Sequence, residues 1–429
     1  MNNLQTGNAP SLSVVVPHFV YSALSFLCLT VFIILAGTDV LGPYFSGKLV
    51  AITHLAVLGW ASMLAFGALY QLIPVVFETA LYSELLAKIT FWIFAVAILL
   101  LVYSFWTSAY GTTLIYASSL MFTALSGFIG NVLFSQRMGK RNIQSKYVVT
   151  AILWLLLAAF LGLLIAINFK YPFLSQIHLH YLKIHAHLGL VGWFVTLIIG
   201  VSSSLIPMFL ISHNLNEGKL NFAYYLINGG LLLLGLDWLV LQGTLLIPVY
   251  WVSISLGIIL YLVFVREVYQ KRLRKELDVG MKHTLVSVLS MLLPILLSLT
   301  IMLKLDFQNS FHLRTTTLYG FSIIFGLITP IILGQTYKTL PFIIWLHKYK
   351  QLVGKYKTPM PKELYSERLV TLQFYSYNLA IIVLVTALIT DTIWMIRLGS
   401  YTLLVTAVLY NLNVFKIIFH KVKTERNPI

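Results

Sequence analysis

Four imidazoles lie within ten residues, His178, His180, His185 and His187, in the run QIHLHYLKIHAHLGLVGW. Imidazole suits heme iron, copper and zinc alike, and within an apolar segment it needs a partner or a metal. On a continuous helix, residues seven apart share a face, so His178 pairs with His185 and His180 with His187. The two stripes stand about 160° apart, so the four rings cannot converge on one ion unless the helix begins after His180. A single site would use one pair, joined by His54 from a second histidine-led run, HLAVLGW. With no cysteine or carboxylate near these rings, the ligand set tilts toward heme or copper. The plainer reading makes His178 and His180 solvated loop residues and His54 and His187 buried structural ones.

Other residues can be weighed in the same way. Trp60 and Trp193 each follow a run-leading histidine by six positions. They could line a heme edge, although aromatic anchoring is the commoner role of Trp in a membrane helix. His312 follows His178 by 134 residues and could complete an outer set of metal ligands with His178, His180, His185 and His187. Asp237, in LGLDWLV, reads as an acid at the outer interface, open to a role in proton uptake or metal binding. Glu78 reads as a loop residue, and His18, His213, His283, His347 and His420 read as interfacial. Gln335 and Tyr337 are either polar packing groups or quinone contacts.

The elements that must position these side chains follow from composition. The chain has 429 residues, 59% hydrophobic and only 10% charged, with a mean hydropathy of +0.88. A soluble chain carries roughly 25% charged residues, so this one belongs in a membrane. A hydrocarbon core needs about 20 apolar residues per helix. Twelve such spans are predicted, at 14–36, 48–75, 85–104, 111–134, 147–169, 180–211, 220–243, 247–265, 284–304, 314–340, 369–390 and 395–417. They are apolar on every face rather than alternating, which points to an all-α polytopic bundle and not a β-barrel. The single cysteine, Cys28, excludes an intrachain disulfide and a CxxC site. The N-terminal MNNLQTGNAP lacks the basic flank of a cleavable signal, so the first span is read as mature structure.

The net charge of +16 comes from 29 Lys and Arg against 13 Asp and Glu. Twenty-three of the 29 lie in breaks after even-numbered spans or in the C-terminal tail. Lys and Arg flanking spans are retained on the cytoplasmic side, which predicts two cytoplasmic termini and an integral protein of the bacterial inner membrane. The basic balance is then a topology signal with affinity for anionic lipid heads, and nucleic acid is not implied. The longest break, about 342–368, is expected to form an amphipathic interfacial stretch.

An internal repeat is visible in the same runs. Residues 54–74, HLAVLGWASMLAFGALYQLIP, and 187–207, HLGLVGWFVTLIIGVSSSLIP, agree at nine of 21 positions without a gap. A third copy at 321–341, FSIIFGLITPIILGQTYKTLP, keeps Gly326, Gly334 and Pro341 but has Phe321 in place of the histidine. The chain is therefore expected to be one membrane domain, 1–429, of three pseudo-repeated four-helix units near 1–140, 141–280 and 281–429. Shared Gly and Pro have an ordinary explanation in helix packing.

Twelve spans in three units, with histidines leading the second and sixth, resemble subunit I of the heme-copper oxidase superfamily. The text of the second span, His54 and then Gly67-Ala-Leu-Tyr70-Gln-Leu-Ile-Pro74, is most similar to the nitric oxide reductase large-subunit branch. The resemblance implies that His54 corresponds to a low-spin heme ligand and that His187 lies near a copper or non-heme metal position. Several departures limit it. The tenth span lacks the paired histidines, the seventh lacks metal-ligand histidines, and Val191 stands where a crosslinkable tyrosine would follow His187. The eighth span has no lysine and the sixth no carboxylate, so the usual proton-uptake residues are missing as well. The resemblance then implies a divergent member without the two-metal centre and without oxygen or nitric oxide reduction. Such a protein would bind heme or copper near the outer face and act in respiratory electron transfer or nitric oxide response. Its partners would be the bilayer and either a respiratory electron donor or another membrane subunit. The alternative is a cofactor-free transporter or assembly subunit on the same scaffold.

Overall fold

A computed structural model describes residues 9–241, 245–303 and 309–422. Among these residues there is no strand, and twelve helices are long and apolar enough to cross a membrane. They are α1 (Leu12–Leu41), α2 (Gly47–Val76), α3 (Glu84–Trp106), α4 (Thr112–Arg137), α5 (Ile143–Lys170) and α6 (His178–Leu210). The second half holds α7 (Gly218–Leu241), α8 (Ile247–Gln270), α9 (Val279–Met302), α10 (Leu313–Leu352), α11 (Glu367–Thr390) and α12 (Ile393–Ile418).

Every expected span is present, and one differs in extent. Helix α10 runs on through the sequence expected to be an interfacial stretch. Pro341 lies inside it, Tyr349 is fully buried, and the Trp345 indole donates to the Pro359 carbonyl at 2.6 Å. These contacts satisfy an apolar extension that hydropathy alone assigns to the interface. Only a short connection with the 3-10 turn Pro361–Leu364 remains before α11.

The chain forms two compact units, residues 70–276 and residues 11–69 with 277–429. In the first, α3 to α8 surround a core that includes Phe94, Phe128, Tyr147, Trp193 and Tyr261. In the second, α1, most of α2 and α9 to α12 bury Phe19, Phe26, Trp60, Tyr377 and Tyr410. Each unit also presents apolar side chains outward at helical spacing. On α3 these are Leu85, Ile89, Trp92, Val96, Leu99 and Tyr103, and on α12 Trp394, Leu398, Tyr401, Val405, Val408 and Leu412. Water would penalise such stripes and hydrocarbon does not.

Three helices carry a π-helical stretch at matching positions: Leu55–Ser62 in α2, Leu188–Val195 in α6 and Ser322–Ile328 in α10. Their starts are separated by the repeat offsets of 133 and 134. The preceding helix crosses each of them in one register. The Cβ that Gly67 lacks would lie 2.6 Å from that of His18, Gly200's 2.5 Å from that of Tyr147, and Gly334's 2.8 Å from that of His283. Two turns further along, Gly59 meets Ser25, Gly192 meets Trp154 and Gly326 meets Ser290. Small residues at these crossings let the backbones approach closely.

Candidate functional site

The repeated histidines occupy equivalent places. His54 closes the α-helical start of α2, and the π stretch begins at the next residue; His187 does the same in α6. Each ring turns back along its own helix. His54 Nδ1 donates to the Val50 carbonyl at 2.8 Å, and His187 Nδ1 donates to the Lys183 carbonyl at 2.7 Å. A carbonyl only accepts, so Nδ1 carries a proton, and in the neutral form of such a ring Nε2 is the lone-pair nitrogen. In α10 the equivalent residue is Phe321, which lacks the imidazole, and the π stretch still follows it.

The π stretches matter because one extra residue per turn displaces backbone carbonyls from their regular partners, and such segments cluster at functional sites. Serines supply the missing donors in the second unit. Ser22 Oγ donates to the Trp60 carbonyl at 2.6 Å, Ser287 Oγ to Leu327 at 2.6 Å and Ser290 Oγ to Gly326 at 2.5 Å. Sequence reading passed over these serines. No single residue type marks a π stretch, and only the serine spacing four and seven residues after His283 hints at them.

The cluster of four histidines divides as its periodicity requires. His178 Nε2 lies 3.1 Å from the Asn168 amide and its ring stacks on Phe169, while His185 Nδ1 donates to the Ala158 carbonyl at 2.9 Å. Both therefore face α5. His180 Nε2 donates to the Trp238 carbonyl at 2.8 Å, and the His187 ring packs edge-on against the Trp238 indole at 5.1 Å. Both of these face α7, where the Lys183 ammonium also stands 4.7 Å from the Trp238 ring centre. No group of three His, Cys, Asp or Glu side chains among the described residues could hold a metal ion. The His312 side chain lies outside the described residues. His54 belongs to the second compact unit and the cluster to the first.

The two tryptophans are core residues. Trp60 stacks on Phe26 at 4.5 Å, meets Tyr410 edge-on at 5.3 Å and donates its indole N–H to Thr329 Oγ1 at 3.3 Å. Trp193 is equally buried, 5.8 Å from the ring of Phe194. Asp237 is buried at the start of a further π stretch, Asp237–Leu241, which closes α7. Glu78 pairs with Lys140 at 2.6 Å, as befits a loop residue.

His18 and His283 are corrections: both are buried, at 2% and 0% exposure, not interfacial. Their places near the ends of spans suggested a wet setting, but each lies opposite the glycine of a helix crossing, which draws the ring inward. His213 and His347 are exposed, and the His420 ring shares a hydrogen bond with the Tyr349 hydroxyl at 2.7 Å. Gln335 donates to Thr284 Oγ1 at 2.7 Å, and the Tyr337 hydroxyl donates to Gln373 Oε1, so both join a polar network among α9, α10 and α11.

No protein-family model and no curated protein matches the sequence. What the fold defines is the class: an all-α polytopic membrane protein with twelve spanning helices.

Proposed function

We propose that the chain is a histidine-ligated membrane heme protein of the oxidase-like type, acting in respiratory electron transfer or nitric oxide response rather than in oxygen reduction. The observation that supports this most is the shared setting of His54 and His187. Each holds its Nδ1 proton against a carbonyl, the arrangement that fixes the tautomer and ring orientation of a histidine ligand through Nε2. Such a ring is held in one orientation by its Nδ1 bond. A porphyrin already supplies four nitrogens to its iron, so one or two histidines suffice, whereas zinc or copper sites draw three or four ligands from the chain. Oriented imidazoles that belong to no group of three metal-ligating side chains among the described residues therefore favour heme over a free metal ion. When bound, the heme would supply one-electron and diatomic-gas chemistry. The chain's own contribution would be the orientation of the imidazole and an apolar surround that excludes water. On this reading the protein resides in the bacterial inner membrane with both termini cytoplasmic, and takes electrons from a respiratory donor or serves another membrane subunit.

The test is the visible spectrum and metal content of the full chain purified from heme-replete cells, alongside His54→Ala and His187→Ala. A Soret band that is lost or shifted in either variant is expected. A band unchanged in both would overturn the ligand assignment, and no band and no stoichiometric copper would overturn the cofactor. One feature favours the cofactor-free transporter reading in that case. Helix α9 is interrupted at Ser290–Met291 between the segments Val279–Leu289 and Leu292–Met302, and broken helices are a mark of transport folds.

A further inference from the structure

The contact among α9, α10 and α11 contains buried polar atoms that the protein itself does not satisfy. Both ring nitrogens of His283, Oε1 of Gln335 and Nε2 of Gln373 are buried without a hydrogen-bond partner. His283 and Gln373 are 0% exposed. The three side chains share one neighbourhood. Thr284, next to His283, accepts the Gln335 amide, and Phe374, next to Gln373, packs its ring edge-on to His283 at 4.8 Å. Tyr377, one turn along α11, lies 5.9 Å from the same imidazole.

The surrounding bonds determine what each orphaned atom can do. The Thr284 hydroxyl donates to the Gly280 carbonyl at 3.0 Å, so it must accept from the Gln335 NH2, leaving the Gln335 oxygen as an acceptor. The Tyr337 hydroxyl donates to the Gln373 oxygen, leaving the Gln373 NH2 as a donor. A neutral imidazole adds one donor and one acceptor. The unmet set is therefore balanced between donors and acceptors and carries no fixed charge. An anion would find too few donors and a cation no carboxylate, whereas a molecule that both donates and accepts fits.

We propose that His283, Gln335 and Gln373 enclose an internal water-binding site in the second compact unit, with His283 at its centre. Bound water bridges the imidazole to the two amides and gives His283 a partner for proton exchange inside the membrane. It also explains how a histidine persists opposite Gly334, where an apolar residue would pack without unmet polar atoms.

The experiment is millisecond hydroxyl-radical footprinting by X-ray radiolysis of the full chain in detergent, which labels buried side chains that adjoin bound water. Two comparisons match residue type and burial: Tyr377 with Tyr410, and His283 with His18. Tyr377 and His283 are expected to be labelled at least about tenfold faster than their counterparts, because only they adjoin ordered water. In His283→Leu the Tyr377 rate should fall to that of Tyr410, and Gln373→Leu provides the same readout should His283→Leu fail to fold. Equal slow rates in the unaltered chain would overturn the water site. Fast labelling of Tyr377 that persists in the folded variants would overturn the assignment to these side chains.

Discussion

Gly67 lies so close to His18 that a Cβ on the glycine would stand 2.6 Å from the histidine's own. The same contact recurs between Gly200 and Tyr147 at 2.5 Å and between Gly334 and His283 at 2.8 Å. It is the most exact expression of the internal repeat, because it survives the replacement of histidine by tyrosine on one side. Gly334 is the tightest of the three, since its Cβ would also approach the Gly280 carbonyl oxygen to 2.4 Å, and backbone cannot rotate away.

Alanine at Gly67, Gly200 or Gly334 should therefore lower stability by about 1–3 kcal/mol, the usual cost of overpacking, with Gly334→Ala the worst. Gly229→Ala is the control. It lies in α7 with nothing within 4 Å of its missing Cβ, so only the gain in helix propensity remains, up to about 1 kcal/mol. Thermal unfolding in one detergent should place the three crossing variants below the parent and Gly229→Ala at or above it. Equal midpoints across the set would show that the crossings relax freely.

Trp60 should behave as a core residue. Its ring is held by Phe26 and Tyr410, and Trp60→Ala should cost about 3–5 kcal/mol through the cavity it leaves. Thr329→Val removes the acceptor of the indole N–H, together with a side-chain contact to Tyr377, and should cost about 1–3 kcal/mol. The two substitutions share one contact, so a double-mutant cycle read by thermal unfolding should show non-additive losses. Strict additivity would mean that the 3.3 Å bond contributes nothing.

The legibility of this fold follows its physics. Spans are set by the thickness of a hydrocarbon core, so twelve apolar runs were readable directly, and the repeat was readable because Gly and Pro keep their spacing. Helix α10 continues past Pro341 to Leu352 although His347 and Lys348 lower the hydropathy there, because the contacts that hold the extension, Trp345 with Pro359 and the buried Tyr349, are tertiary. The two stripes of the histidine cluster were evident from periodicity. Their separate partners, Ala158 and Asn168 on one side and Trp238 on the other, depend on which helices adjoin α6, and no local pattern encodes that. The burial of His18 and His283 was hidden for the same reason.

That division gives a prediction for the heme reading. His178 and His180 are tied to Asn168 and to the Trp238 carbonyl at the start of α6, so His178→Ala and His180→Ala should leave any Soret band in place. His187→Ala, and His54→Ala in the other unit, should not. His187→Gln is the informative third variant, because an amide can retain a hydrogen bond but is a poor iron ligand. Retention of the band in His187→Gln together with its loss in His180→Ala would reverse the assignment within the cluster.

A pair of asparagines anchors the starts of two helices in the same manner. Asn131 in α4 accepts the Ser83 N–H at 3.0 Å and donates to the Ser83 carbonyl at 2.8 Å, just ahead of α3. Asn413 in α12 accepts the Ser366 N–H at 2.9 Å and donates to its carbonyl at 3.1 Å, just ahead of α11. Both amides are fully buried, and their loss removes the acceptor of each serine N–H, whereas each serine carbonyl keeps the bond from its own helix, Ala87 N–H to Ser83 and Val370 N–H to Ser366, both at 3.2 Å. Asn131→Leu and Asn413→Leu should each destabilise the chain by about 1–3 kcal/mol, the cost of leaving one backbone N–H without its acceptor. The losses should differ in one respect. Ser83 Oγ also accepts the Leu86 N–H at 3.1 Å and still caps α3, whereas Ser366 provides no such cap for α11. Amide hydrogen exchange should therefore rise further at the start of α11 in Asn413→Leu than at the start of α3 in Asn131→Leu, and the opposite order would show that the serine cap does not support α3.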